Sequence, residues 1–150
     1  MYLESSISLK SLLCTSIGCA GSMIACALGG FDLGLKILIL LMATDYLTGL
    51  MVAGVFHTSE KTPSGGLESR AGWKGLCRKG VVLLMVLVAH CVDMTAGCHL
   101  IRDAVVIGYS LNEMISITEN AGLMGVPVPK PLLQAIDVLQ RKEDSSHGNV

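Results

Sequence analysis

Three ionisable residues, Asp45, His90 and Asp93, stand inside otherwise apolar stretches of this 150-residue chain. An ionisable group at membrane depth is costly unless it faces another helix or water, so such groups mark a packing contact, a proton relay or an ion path. Counted at 1.5 Å per residue from the ends of their apolar runs that lie away from the basic segment 57–79, Asp45 is about 12 Å deep, Asp93 about 10 Å and His90 about 15 Å. The expectation is one intramembrane polar network of Asp45, His90 and Asp93, either a helix-packing set of hydrogen bonds or a functional switch.

A second polar set has helical order. At 100° per residue, Tyr109, Asn112, Glu113, Ser116, Glu119 and Asn120 fall within about a 120° sector, while Ile107, Leu111, Met114 and Ile115 point elsewhere. Such a helix either lines an aqueous path or lies on a membrane surface. Asn112, Glu113, Ser116, Glu119 and Asn120 are therefore candidate pore-lining residues. No catalytic set accompanies them. Gly29-Gly30 and Gly65-Gly66 belong to no phosphate-cradling pattern. His90, Cys91, Asp93, Cys98 and His99 invite a zinc hypothesis, but their helical pairs do not form a common set of four ligands. The expectation is a protein that is not an enzyme and holds no cofactor and no metal.

The elements that carry these residues read as membrane helices. The chain is 51% hydrophobic and 15% charged, against roughly 25% charged in soluble domains. Its net charge of −1 and scarce aromatics argue against a nucleic-acid partner. Uncharged or nearly uncharged runs predict helices at about 11–31, 37–56, 80–100 and 104–123; each is long enough to cross a ~30 Å hydrocarbon core, and the polar fourth is the ambiguous one. The leader, with Glu4 and Lys10, does not resemble the basic start of a cleaved signal peptide. The fold class is thus an all-α integral membrane protein with three to four transmembrane helices and a short C-terminal amphipathic helix.

Gly21, Ala25 and Gly29 recur every four residues in the first run, and Gly49 and Ala53 in the second; these small faces favour close helix association, and the short 29–32 connection predicts a tight antiparallel hairpin. Of six cysteines, Cys14, Cys19, Cys26, Cys91 and Cys98 lie in apolar runs and Cys77 in a polar stretch, and they read mostly as small buried hydrophobes. Lys61, Arg70, Lys74, Arg78 and Lys79 oppose only Glu60 and Glu68 in segment 57–79, a balance of +5 − 2 = +3. This basic connection should remain cytoplasmic, which places the amino terminus inside. Residues 1–125 then form the membrane domain. Residues 126–150 form a Pro-containing cytoplasmic tail with a short helix at 131–141 and a disordered end.

In order and spacing, Asp45-Tyr46-Leu47-Thr48-Gly49, the segment Ser69–Lys79, Asp93, Glu113-x-x-Ser116-x-x-Glu119-Asn120 and Gly125-Val126-Pro127-Val128-Pro129 resemble the toxin-secretion/phage-lysis holin family. The resemblance covers about two thirds of the chain; the details of the first run, His90 and His99 depart from the family pattern. It implies a non-enzymatic protein of the host bacterial cytoplasmic membrane that forms a homo-oligomer among membrane lipids. At a set time such a protein opens lesions that release an endolysin, its functional partner, or a toxin. A small channel or transporter subunit of fixed stoichiometry, with Asp45 and Glu113 as an ion or proton path, is the alternative; a membrane adaptor holding a cytoplasmic partner is a third class.

The charge asymmetry gives a topology prediction. With the native cysteines replaced, new cysteines at Ser64 and Ser145 should both be protected from an impermeant thiol reagent in intact cells. Labelling at Ser64 would reverse the orientation, and labelling at Ser145 would remove the fourth crossing.

Overall fold

The computed structural model describes residues 2–59, 62 and 64–147; Glu60 and Lys61 of the basic connection and residues 148–150 of the tail lie outside the described residues. Five helices and no strand occur among them: α1 (Tyr2–Ala27), α2 (Leu33–Met51) continuing as a π-helical turn over Val52–Phe56, α3 (Ser69–Ala96), α4 (Leu100–Leu123) and α5 (Lys130–His147). The chain is an all-α membrane protein. Three stretches, Lys10–Ala27, Leu33–Phe56 and Ser69–Ala96, are long and apolar enough to cross a membrane; α4 is not among them.

Local chemistry explains where these helices depart from the expected 11–31, 37–56, 80–100 and 131–141. The first ends early because Gly29 and Gly30 take φ +86° and +104°. The Gly30 amide then donates to the Ala25 carbonyl (2.9 Å) and the Gly29 amide to that of Cys26 (3.1 Å). This is a Schellman stop, so Gly29 belongs to a turn and not to a helix-packing face. The second helix begins early because Asp32 caps it, its Oδ1 accepting from the Leu35 amide at 2.8 Å. The third begins eleven residues early: Ser69–Lys79, expected as connection, is helical, and its charges do not oppose helix formation because Arg and Lys are good helix formers. At the C-terminus, α5 runs through polar residues to His147, where a disordered end was expected.

The packing centres on α4, which lies against both α2 and α3; α5 packs on α4. Leu35, Leu38 and Met42 of α2, Val86 of α3, Val106 of α4 and Leu28 form the apolar core, with Tyr109 packed against it. Their spacing of three and four residues puts one stripe of each helix inward. In lipid the hydrophobic effect does not draw helices together, so this core contributes through close packing. The expected hairpin of the first two helices does not form. The membrane-length part of α1 is 0% buried, and at Gly18 and Gly21 an added Cβ would meet nothing within 4 Å. Of the other proposed packing residues, Ala53 is buried and Gly49 lies near Asn120. All six cysteines are free, as reduced side chains, but five are exposed where buried ones are expected.

What ties the α1–α2 turn to the bundle is Arg102. Its side chain, 7% exposed, donates from Nε to the Leu28 carbonyl at 2.6 Å, from Nη2 to that of Gly30 at 3.3 Å, and from Nη1 to Asp32 at 2.6 Å and Asp103 at 3.2 Å. A Cβ at Gly29 would lie 2.7 Å from Arg102 Nε and 2.8 Å from His90 Nδ1, so only glycine lets the turn approach this closely. Asp93 completes the corner by capping α4 from the preceding helix: its carboxylate accepts from the Ile101 and Arg102 amides at 3.0 and 2.9 Å, and from the Cys98 thiol at 3.0 Å.

Arg102→Gln should therefore lower unfolding stability in micelles by about 1.5–3 kcal/mol, the range for hydrogen bonds to charged groups. Asp103→Asn, at an exposed and longer contact, should cost far less. The Arg102 guanidinium also holds Asp32 below its ordinary value of 3.8. A lowered folded-state value stabilises above the unfolded pKa and loses that contribution as pH falls through the lowered value. Circular dichroism melts between neutral pH and pH 3 should show this acid-side loss in the wild type and a smaller one in Arg102→Gln.

Candidate functional site

The inward stripes of the three packed helices each change character toward the end that bears segment 57–68. On α2, Leu35, Leu38 and Met42 give way to Asp45 and Gly49; on α3, Val86 and Val82 give way to Lys79; on α4, Val106 gives way to Glu113 and Asn120. These polar groups meet. Lys79 Nζ donates to Asp45 Oδ2 at 2.9 Å and to Glu113 Oε2 at 2.5 Å. Asn120 Nδ2 donates to Asp45 Oδ1 at 3.1 Å and to Thr48 Oγ1 at 2.9 Å. The three charged side chains are only 12%, 13% and 7% exposed.

One ammonium thus joins two carboxylates from different helices. At low dielectric the carboxylates repel strongly and neither is tolerable alone, so the cation between them sets the register of α2, α3 and α4. The cluster carries +1 against −2, an excess negative charge, and borders a cavity of about 280 Å³ whose lining includes Tyr46, Tyr109, Asn112 and Ser116. A second cavity of about 620 Å³ is lined by Ser116, Glu119 and Asn120 with Gly49 and Leu123. Chemically the arrangement can hold water beside buried charge. Among the described residues no three His, Cys, Asp or Glu side chains are grouped to hold a metal.

The structure thus brings Asp45, Glu113 and Asn120 into one contact set and puts Asn112, Ser116 and Glu119 along the adjoining cavities. It does not join Asp45 to His90 and Asp93. Those two sit at the opposite corner, Asp93 capping α4 and His90 beside Gly29. The reason is the true helix ends. Because α2 starts at Leu33, Asp45 lies about 18 Å along it, whereas Asp93 is within about 5 Å of the end of α3. Lys79 and Arg102 were the residues missed. The signal for Lys79 is its spacing: Lys79, Val82, Val86, Ala89 and Asp93 recur at three- and four-residue steps, placing Lys79 on the inner stripe and not with the solvated basic residues.

Residues 22–141 match the bacteriophage holin family. The chain is 39% identical to an uncharacterized protein of Halalkalibacterium halodurans over 90% of this chain and 98% of that one. It is 36% identical to an uncharacterized protein of Listeria monocytogenes over 81% and 82%. A protein of Bacillus phage phi105 named as a probable holin is 31% identical over 73% of this chain and 76% of its own length. No solved structure matches.

The cluster predicts strong non-additivity. Lys79→Gln alone leaves two buried carboxylates without their cation and should destabilise the protein by about 3–5 kcal/mol in micelle unfolding. Adding Asp45→Asn and Glu113→Gln to it should recover most of that loss. Equal stability of the single and triple variants would mean that the three groups do not share one electrostatic unit.

Proposed function

The chain belongs to the bacteriophage holin family, and from that membership we propose that it accumulates in the host cytoplasmic membrane, oligomerises and opens timed lesions that release an endolysin or a toxin. It acts without catalysis. In this reading the protein is multi-pass, with the amino terminus and tail in the cytoplasm and α4 as the fourth crossing.

The observation that carries the reading is the placement of α4. It is too polar to qualify as a membrane span by composition, yet it packs along two helices that do qualify. Glu113 and Asn120 turn inward onto Lys79, Asp45 and Thr48, while Asn112 and Glu119 remain exposed. Asn112, Ser116 and Glu119 stand beside cavities. A single copy therefore pairs Glu113 and Asn120 internally and leaves Asn112 and Glu119 at the cavities, where water can reach them. When copies gather, rotation of α4 exchanges these internal partners for water and presents one polar wall, a change between two packings of the same helices. The unburied α1 supplies apolar surface for the gathering.

The sharing of one site by Asp45 and Glu113 favours a second reading, a channel of fixed stoichiometry with an ion path through the cluster. Inducible expression with and without a co-expressed endolysin separates the two. The lesion former gives abrupt growth arrest at a reproducible time, with lysis only in the paired culture. Steady leakage that scales with expression, has no abrupt onset and lets no endolysin out would favour the channel.

A further inference from the structure

The first three turns of α3 carry a feature that lesion formation leaves unused. Arg70, Lys74 and Arg78 recur every four residues, so they stand on one face of the helix. All three are exposed. The ion pairs formed among the described residues engage only Lys79 and Arg102 as cations, so this stripe has no carboxylate partner there. Glu68, the nearest described acid in sequence, accepts instead from the Ser64 hydroxyl at 3.2 Å. Lys79 points the other way, into the bundle.

The same face continues along α3 as Val81, Leu84, Met85 and Val88, which are 55%, 58%, 42% and 51% exposed and so form a lipid-facing stripe. One uninterrupted face thus passes from apolar to cationic at Arg78. The length of α3 fixes what lies at that boundary. Its 28 residues measure about 42 Å, longer than a ~30 Å hydrocarbon core, and the apolar part after Lys79 measures about 25 Å. The turns bearing Arg70, Lys74 and Arg78 therefore stand in the headgroup layer. Trp73, 67% exposed beside them, is the residue type that sits at this level. Arg78 also lines the 280 Å³ cavity together with Asn112, Ser116 and Glu68.

We propose that this stripe binds the headgroup of an anionic phospholipid, with the phosphate at Lys74 and Arg78 and the acyl chains along Val81, Leu84 and Val88. The occupant follows from charge complementarity and from the apolar continuation: an acidic protein or a nucleic acid would satisfy the cations but leave Trp73 and the lower stripe unused. The proposal rests on the membrane placement of the functional reading and deepens it, since it assigns a lipid that the protein gathers around itself before any lesion opens.

The test uses the full chain reconstituted in phosphatidylcholine vesicles that contain trace spin-labelled phosphatidylglycerol or spin-labelled phosphatidylcholine. The fraction of immobilised label is compared. The wild type should select the anionic label, and 1 M salt should weaken that selection. Arg78→Gln should reduce it by up to about fivefold, and the Arg70→Gln, Lys74→Gln, Arg78→Gln triple variant should bring it near parity. Lys130→Gln, an exposed cation outside the stripe, should leave it unchanged. Equal immobilisation of both labels by the wild type would overturn the proposal, as would selection that survives the triple change or falls equally with Lys130→Gln. Displacement of the label by a soluble acidic peptide with no preference between the lipids would assign the stripe to a protein instead. Because the readout needs no lysis, timed lysis without lipid selection would sink this proposal alone, and lipid selection without lysis would sink the functional reading alone.

Discussion

A single ammonium group, that of Lys79, makes the bundle possible. Asp45 and Glu113 come from helices far apart in sequence and meet where both carboxylates are almost fully buried, so that neither is stable without a cation. With the cation between them, an unfavourable encounter becomes a three-helix joint. Asn120 then extends the joint by bonding Asp45 and Thr48 at once. The cost of burying these groups is met by mutual satisfaction, and no buried side-chain nitrogen or oxygen among the described residues lacks a partner. Glu113 and Asn120 of α4 are tolerable in an apolar setting for this reason.

The joint has a counterpart at the other end. Arg102 gathers the α1–α2 turn, and Asp93 caps α4, about 17–21 Å along the helices from the Lys79 cluster. Between the two lies the apolar layer of Leu35, Leu38, Met42, Val86 and Val106. A layer that only packs permits small sliding between helices; two ionic joints oppose it, because sliding separates the buried charges at Lys79 and breaks the hydrogen bonds that Arg102 makes to the α1–α2 turn. The transitions open to such a body are discrete. It holds, or one joint opens and α4 turns. That all-or-none character suits the timed opening proposed for this chain.

Much of this was legible in the residues, and the rest was hidden for identifiable reasons. Apolar length and the scarcity of charge revealed an all-helical membrane protein, and the 100° periodicity of Asn112, Glu113, Ser116 and Asn120 picked out the polar side of α4. Helix ends were harder. Counting a helix only where residues are apolar overlooked the Asp32 cap and the charged first turns of α3. The missed Asp32 cap, together with an α3 end counted at Leu100 instead of Ala96, moved Asp45 and Asp93 onto one apparent level and created a network with His90 that the folded chain does not have. Lys79 was read by composition, as one of a run of cations, when its spacing from Val82 and Val86 was the more informative signal. Arg102 offered no local signal, since Leu28, Gly30 and Asp32, which it ties to the bundle, lie some seventy residues away.

The isolation of α1 has a consequence for how such chains diversify. Its membrane-length segment gives the bundle no buried surface; the turn that follows, through Leu28 and the Gly29–Asp32 stretch, makes the attachment. The family match begins at Ser22, in the closing turns of that helix. No residue of Lys10–Ala27 is buried against the bundle, so replacements there that preserve length and apolar character leave the remaining helices undisturbed. The segment behaves as an interchangeable cartridge. A different apolar helix of the same length could take its place while the Lys79 and Arg102 joints stay as they are.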